Sequence, residues 1–251
     1  MKSIKSILAS ALTIAAMQAG ATPVTVDGVT FVPGSFSAGS NLYQWFTSAP
    51  VAQGGNPTYN GTVVAPGTPG STLEGIGIIT QVNNTFSSGF LQSGGQLTYT
   101  FGGFTVSGGG FTGGWLNVYY NPTFVYTPFN ASPLTLPSGA NAGSLWLSLT
   151  AQSDQFTAFG GWNAGQLLAY FDVTGGAAAG NFAPQMIFDF INSTDVNAKS
   201  TGTAFFGDLG GTLGTGTDTV VGNTIPEPET LVLVGVSLLG LGLAGRAKKR
   251  N

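Results

Sequence analysis

The chain has 251 residues, with 40 glycines and 18 phenylalanines but no cysteine and no histidine, and only 7% of it is charged. Disulfides, thiolate nucleophiles, zinc sites of the Cys/His kind and a histidine general base are therefore excluded. The net charge is −3, but basic residues gather at the two ends, and between Thr22 and Thr224 Lys199 alone stands against eight carboxylates. Such a body cannot neutralise a phosphate backbone, and no nucleic-acid partner is expected.

Residues 1–21 open with Lys2 and Lys5, continue through an apolar stretch from Ile7 to Met17 and end in the small-residue site Ala19-Gly20-Ala21. Basic, apolar and A-x-A segments in that order read as the signal helix of an exported protein, with cleavage after Ala21. A buried amphipathic N-terminal helix is the alternative. An exported domain without cysteine must hold together by packing and hydrogen bonding alone.

Residues 22–206 read as one β-rich surface domain. Every aromatic residue of the chain lies between Thr22 and Thr224, which separates this region from an aromatic-poor disordered stalk. Leu97, Tyr99 and Phe101 alternate with Gln96, Thr98 and Thr100, and Leu145, Leu147 and Leu149 alternate with Ser144, Trp146, Ser148 and Thr150. Period two over such runs marks half-buried strands. Further runs at Trp115 to Tyr120, Phe124 to Tyr126, Gln166 to Val173, Met186 to Ile191 and Thr203 to Phe206 are bounded by Gly, Pro, Asn or Ser. No stretch of the body keeps a 3.6-residue apolar period, so helix should be minor. The expected fold is all-β, an antiparallel β-sandwich or jelly-roll-like domain, with a β-solenoid as its rival. Gly102-Gly103-Phe104-Thr105 recurs as Gly109-Gly110-Phe111-Thr112, but no longer period continues it. Gly54 to Gly70, with Pro57, Pro66 and Pro69, reads as a long exposed loop, and residues 207–224 as a Gly/Thr-rich tether.

Residues 225–251 divide into Ile225-Pro226-Glu227-Pro228-Glu229-Thr230, an apolar run from Leu231 to Gly245 and a basic tail containing Arg246, Lys248, Lys249 and Arg250. The two prolines fix φ and hold their neighbours extended, leaving a segment open to an enzyme. Fifteen apolar residues make a helix of about 23 Å, a short transmembrane helix against a hydrocarbon core of ~30 Å. The basic tail sets its topology, cytoplasmic by the positive-inside rule, with the acidic body outside. Gly240-Leu241-Gly242-Leu243-Ala244-Gly245 fits G-x-G-x-x-G, but no βαβ unit surrounds it and no acidic ribose ligand follows.

Pro226-Glu227-Pro228, the Gly/Leu-rich helix and the terminal Arg/Lys cluster together resemble the PEP-CTERM sorting signal. The resemblance implies a Gram-negative bacterium that makes exopolysaccharide, and an inner-membrane intermediate held by the C-terminal helix. It also implies recognition of Pro226, Glu227 and Pro228 by a processing exosortase, with the tail from about Leu231 absent from the mature form. The stretches Leu73-Glu74-Gly75-Ile76-Gly77, Leu97 to Phe104 and Gly114-Trp115 resemble sorting-tail proteins of flocculation and biofilm.

No catalytic residue, metal or cofactor is assigned from the sequence. Paired-carboxylate chemistry needs two acids a few ångströms apart, and no spacing selects a pair; Glu74 is the only glutamate of the body. Asp189, Asn192, Asp195 and Asn197 offer hard oxygen atoms to calcium without an EF-hand spacing. Trp45, Trp115, Trp146 and Trp162, with Tyr119 and Tyr120, could stack on sugar rings or fill a core. The expected function is that of a non-enzymatic surface or matrix protein in contact with exopolysaccharide or a cell-surface glycan. A carbohydrate-binding module or matrix glycoside hydrolase is the alternative.

Overall fold

The structure, a computed structural model, describes residues 22–32, 36–59, 61–92, 94–123, 140–158, 162, 165–191, 206–208 and 213–224. In chain order the strands are β1 Val24–Val26, β2 Val29–Phe31, β3 Phe36–Thr47, β4 Val63–Val64, β5 Thr72–Val82, β6 Thr85–Phe86 and β7 Gln96–Ser107. They continue as β8 Gly110–Thr112, β9 Trp115–Asn121, β10 Ser144–Ala158, β11 Gly165–Gly175, β12 Phe182–Ile191, β13 Phe206–Asp208 and β14 Leu213–Thr224. Helix among the described residues is confined to a single turn, α1, at Ser87–Phe90 and a 3-10 turn at Ala179–Asn181, as the missing 3.6-residue period predicts.

The antiparallel all-β expectation holds, but the strands do not stack as the two sheets of a sandwich or jelly roll. Pairing runs β3-β5-β7-β9-β10-β11-β12-β14, and β14 pairs back onto β3 from Leu213↔Trp45 to Gly222↔Phe36. Eight strands thus form one closed up-and-down barrel, with no free edge along the ring. Sandwich and barrel strands share the same two-residue alternation, and only the long-range seam between β3 and β14 separates them. That seam also corrects the tether: Leu213–Thr224 is a full barrel strand. Its glycines and threonines alternate, so Gly214 and Gly216 face inward opposite Gln44 and Leu42 while Thr215 and Thr217 face outward.

Large rings fill the space that small residues leave. Gly75 and Gly77 on β5 lie under Phe101 and Tyr99 of β7, so closely that an added methyl at either glycine would sit 2.3 Å or 2.2 Å from a ring carbon. Phe104 of β7 meets Phe171 of β11 edge-on at 6.2 Å, a contact made across the interior because these strands are not neighbours. The Tyr99 hydroxyl is paired with Ser40 Oγ at 2.6 Å, which satisfies both groups in the apolar centre.

Both ends are plugged. At one end β1 and β2 fold over the opening through a type I′ turn at Asp27 and Gly28, both with positive φ. Phe31 stacks on Phe182 at 5.5 Å and meets Trp146 edge-on at 5.9 Å, while Trp146 Nε1 donates to the Val26 carbonyl at 3.0 Å. At the other end Phe46 stacks on Phe111 at 6.1 Å, and Trp162 closes over both. The Gly-Gly-Phe-Thr duplication forms part of this end: its copies lie on the two arms of the β7–β8 hairpin and meet at Thr105↔Thr112, with Gly108 and Gly109 making the turn.

Candidate functional site

The chain between β3 and β5 folds back over the outer barrel wall as a strap. Its base is closed by Thr47 Oγ1 against Thr62 Oγ1 at 2.8 Å and by the Ser48 amide donating to the Thr62 carbonyl at 3.0 Å. Glu74 lies beneath it. The register Trp45↔Glu74 turns this carboxyl to the outer face of β5, where the Val51 amide of the strap donates to Oε1 at 2.6 Å. Gly102 of β7 provides the room, since a methyl there would meet Glu74 Cγ at 3.3 Å and the Trp115 ring at 3.0 Å.

Only 1% of Glu74 is exposed. Burial removes the water that would stabilise its anion, and the single Val51 hydrogen bond only partly compensates, so its pKa is raised from 4.5 to about 7. The strap's next turn is pinned by neutral groups. Gln53 Nε2 donates to Ser148 Oγ at 3.1 Å. Asn117, with its amide turned to satisfy both ends, donates to Ser148 Oγ at 2.8 Å and accepts from the Gly54 amide at 3.3 Å and Tyr119 hydroxyl at 3.2 Å. Ser148 Oγ is in turn within 3.2 Å of Thr174 Oγ1.

Chemically, this arrangement holds one acid partly protonated near neutral pH beside an indole. Of the acids whose side chains are described, neither Asp27 nor Asp172 is brought to Glu74. Asp27 sits in the β1–β2 turn at the opposite end, accepting a hydrogen bond from Ser144 Oγ. Asp172 is reached by crossing from Glu74 on β5 through β7, β9 and β10 to β11. At ~4.8 Å per strand that is roughly 19 Å along the wall, beyond the spacing of a glycosidase pair. Among the described residues no three His, Cys, Asp or Glu side chains gather. Of the calcium candidates, Asn192, Asp195 and Asn197 lie outside the described residues.

The aromatic candidates lie in the packing. Trp45, Trp115, Trp146, Tyr119 and Tyr120 are buried and Trp162 is half-buried. The aromatic side chain with the largest described exposure is Phe86, at 68%, on the short strand after the Asn83-Asn84 turn. It interrupts no pattern, so nothing in the sequence singled it out. Burial of Glu74 was foreshadowed only by its place between Leu73 and Ile76 in an apolar strand.

Ala19, Ala21, Pro226, Glu227, Pro228, Arg246, Lys248, Lys249 and Arg250 lie outside the described residues, as do the expected signal helix and C-terminal helix. Among the described residues no helix is long and apolar enough to cross a membrane. What the structure places is the point of departure: Thr224, paired with Phe182, is the last residue of the seam strand β14. No curated protein and no solved structure matches the chain. A family model for the PEP-CTERM protein-sorting motif matches residues 224–250, beginning at the residue where the barrel ends. The chain therefore carries a PEP-CTERM sorting motif directly behind a closed β-barrel, and that motif marks an exported protein processed by an exosortase and delivered to the cell surface.

Proposed function

We propose that this is a non-enzymatic surface or extracellular-matrix protein whose barrel contacts exopolysaccharide or neighbouring-cell glycans in biofilm or flocs. The observation that carries the reading is the sorting motif at residues 224–250, joined without a break to a self-contained barrel. A ring filled by its own side chains and plugged at both ends favours a structural part over a container for small molecules. In this reading the leader is cut after Ala21 and the apolar run from Leu231 holds an inner-membrane intermediate. The exosortase takes Pro226, Glu227 and Pro228, and the tail is removed.

Mass spectrometry of protein from cell envelope and medium tests this: the surface form should begin at Thr22 and lack the tail. Recovery of the tail through Asn251 on that form would refute processing. A Pro226→Ala, Glu227→Ala chain should be retained at the inner membrane. Deleting the protein should weaken floc or biofilm cohesion, while the purified protein shows no saturable monosaccharide affinity.

One observation favours a second reading, a carbohydrate-binding module or matrix glycoside hydrolase: the Glu74 carboxyl, with a pKa of about 7, beside Trp115. That reading requires sugar binding or release that Glu74→Gln abolishes.

A further inference from the structure

The sorting motif follows the barrel with no slack. Thr224 is still paired with Phe182, and Pro226 is two residues further on. Two residues span at most ~7 Å. Whatever grips Pro226, Glu227 and Pro228 must therefore touch the barrel end from which they emerge, unless the last pairs of β14 are broken.

Among the described residues that end stands apart. The described body also begins there, since Thr22 precedes β1 and the β1–β2 hairpin plugs the same opening. Among the described residues four large hydrophobic side chains are exposed: Val32, Phe86 and Leu145 at this end, and Tyr170 on the side wall. Val32, 40% exposed, follows Phe31, whose ring stacks on Phe182, the partner of Thr224. Phe86, 68% exposed, belongs to the hairpin whose Asn83 amide donates to the Ser37 carbonyl at 2.7 Å; on its other side Ser37 pairs with Val221 of β14. Leu145 stands beside Ser144, which donates to Asp27. Described apolar side chains thus lie exposed at the barrel end where β14 finishes, with Asp27 in the hairpin turn there.

We infer that this rim is a docking surface for the exosortase, which recognises the folded barrel end together with the Pro-Glu-Pro segment. The inference rests on the sorting reading above. The complementary enzyme surface is apolar, with a basic group placed to meet Asp27. Exposed hydrophobic residues at the exit then have a use during processing, and recognition selects chains whose seam is already formed.

The test uses the full chain in cells that carry its exosortase. Val32→Asp and Phe86→Asp change exposed side chains, and buried-tryptophan fluorescence checks that the barrel remains folded. Processing of the double variant should slow by about tenfold or more, the scale of a lost interfacial anchor. A flexible twelve-residue spacer between Thr224 and Ile225 should remove the difference between wild-type and Asp rims. A benzophenone side chain at position 86, in a chain also carrying Glu227→Ala to slow turnover, should crosslink to the exosortase. Wild-type processing of the rim variant, with the Pro226→Ala, Glu227→Ala chain blocked, would overturn the docking surface and leave the sorting reading standing. Unimpaired processing of that motif variant would overturn both. Crosslinks to lipid alone would assign the rim to the membrane and overturn the inference.

Discussion

Glu74 makes the stability of the barrel fall as pH rises through a range where most proteins are indifferent. Its pKa is raised from 4.5 to about 7 by burial. Below about pH 4.5 both folded and unfolded chains carry the proton, and the contribution of this residue is at its maximum. Between 4.5 and 7 the unfolded chain has released the proton and the folded chain has not, so each pH unit costs about 1.4 kcal/mol. The accumulated loss is about 3 kcal/mol by pH 7 and stays level above it, a large part of the stability of a domain this size. Glu74→Gln keeps the shape and the acceptor for the Val51 amide but removes the titration. Urea denaturation followed by tryptophan fluorescence, at pH 4.5, 6, 7 and 8, measures the difference between the two proteins and cancels the other carboxylates. The variant should gain on wild type steadily from pH 4.5 to 7, and at pH 8 the difference between the two should have moved in its favour by about 3 kcal/mol relative to pH 4.5. A difference that does not change with pH would refute the buried-acid reasoning, and a gain appearing as pH falls would reverse its sign.

Gly75→Ala should destabilise by about 1–3 kcal/mol or more, because the new methyl would lie 2.3 Å from both the Phe101 ring and the Tyr43 carbonyl oxygen, and backbone cannot step aside. Gly61→Ala, with nothing within 4 Å, should stay within about 0.5 kcal/mol of wild type in the same denaturation assay. Trp146→Phe removes the donor to the Val26 carbonyl and should cost about 1–2 kcal/mol, with faster hydrogen exchange confined chiefly to Val24–Val26 and Val29–Phe31.

Alternation made the inward face of β7 legible, because Leu97, Tyr99 and Phe101 recur at the strand period and do fill the barrel. The same reasoning misplaced part of β10. A bulge between Leu145 and Leu147 re-aims the strand, leaving Leu145 38% exposed and Trp146 buried, although period two alone groups Leu145 with the other leucines. Closure was not legible for a different reason. Gly214, Gly216 and Thr215 have the composition of a linker, and only their pairing with β3, from the other end of the body, makes them a strand. Glu74 was visible as a lone glutamate, but its raised pKa depends on a strap that no local pattern announces. The sorting motif needed no fold to be read, because its meaning lies in a contiguous string of residues.

Joining the first long strand to the last makes the ring a late event in the life of the chain. In chain order β3 is among the first strands made and its partner β14 the last, so the nascent sheet carries two bare edges that invite pairing with other copies. Such non-local closure is also slow, since a long loop must be ordered before any of the final ladder forms. A proteolytic nick between Phe206 and Leu213 would leave the seam strand held by its pairing alone, whereas a cut at residues 226–228 falls beyond Thr224 and leaves every strand of the hoop covalently joined.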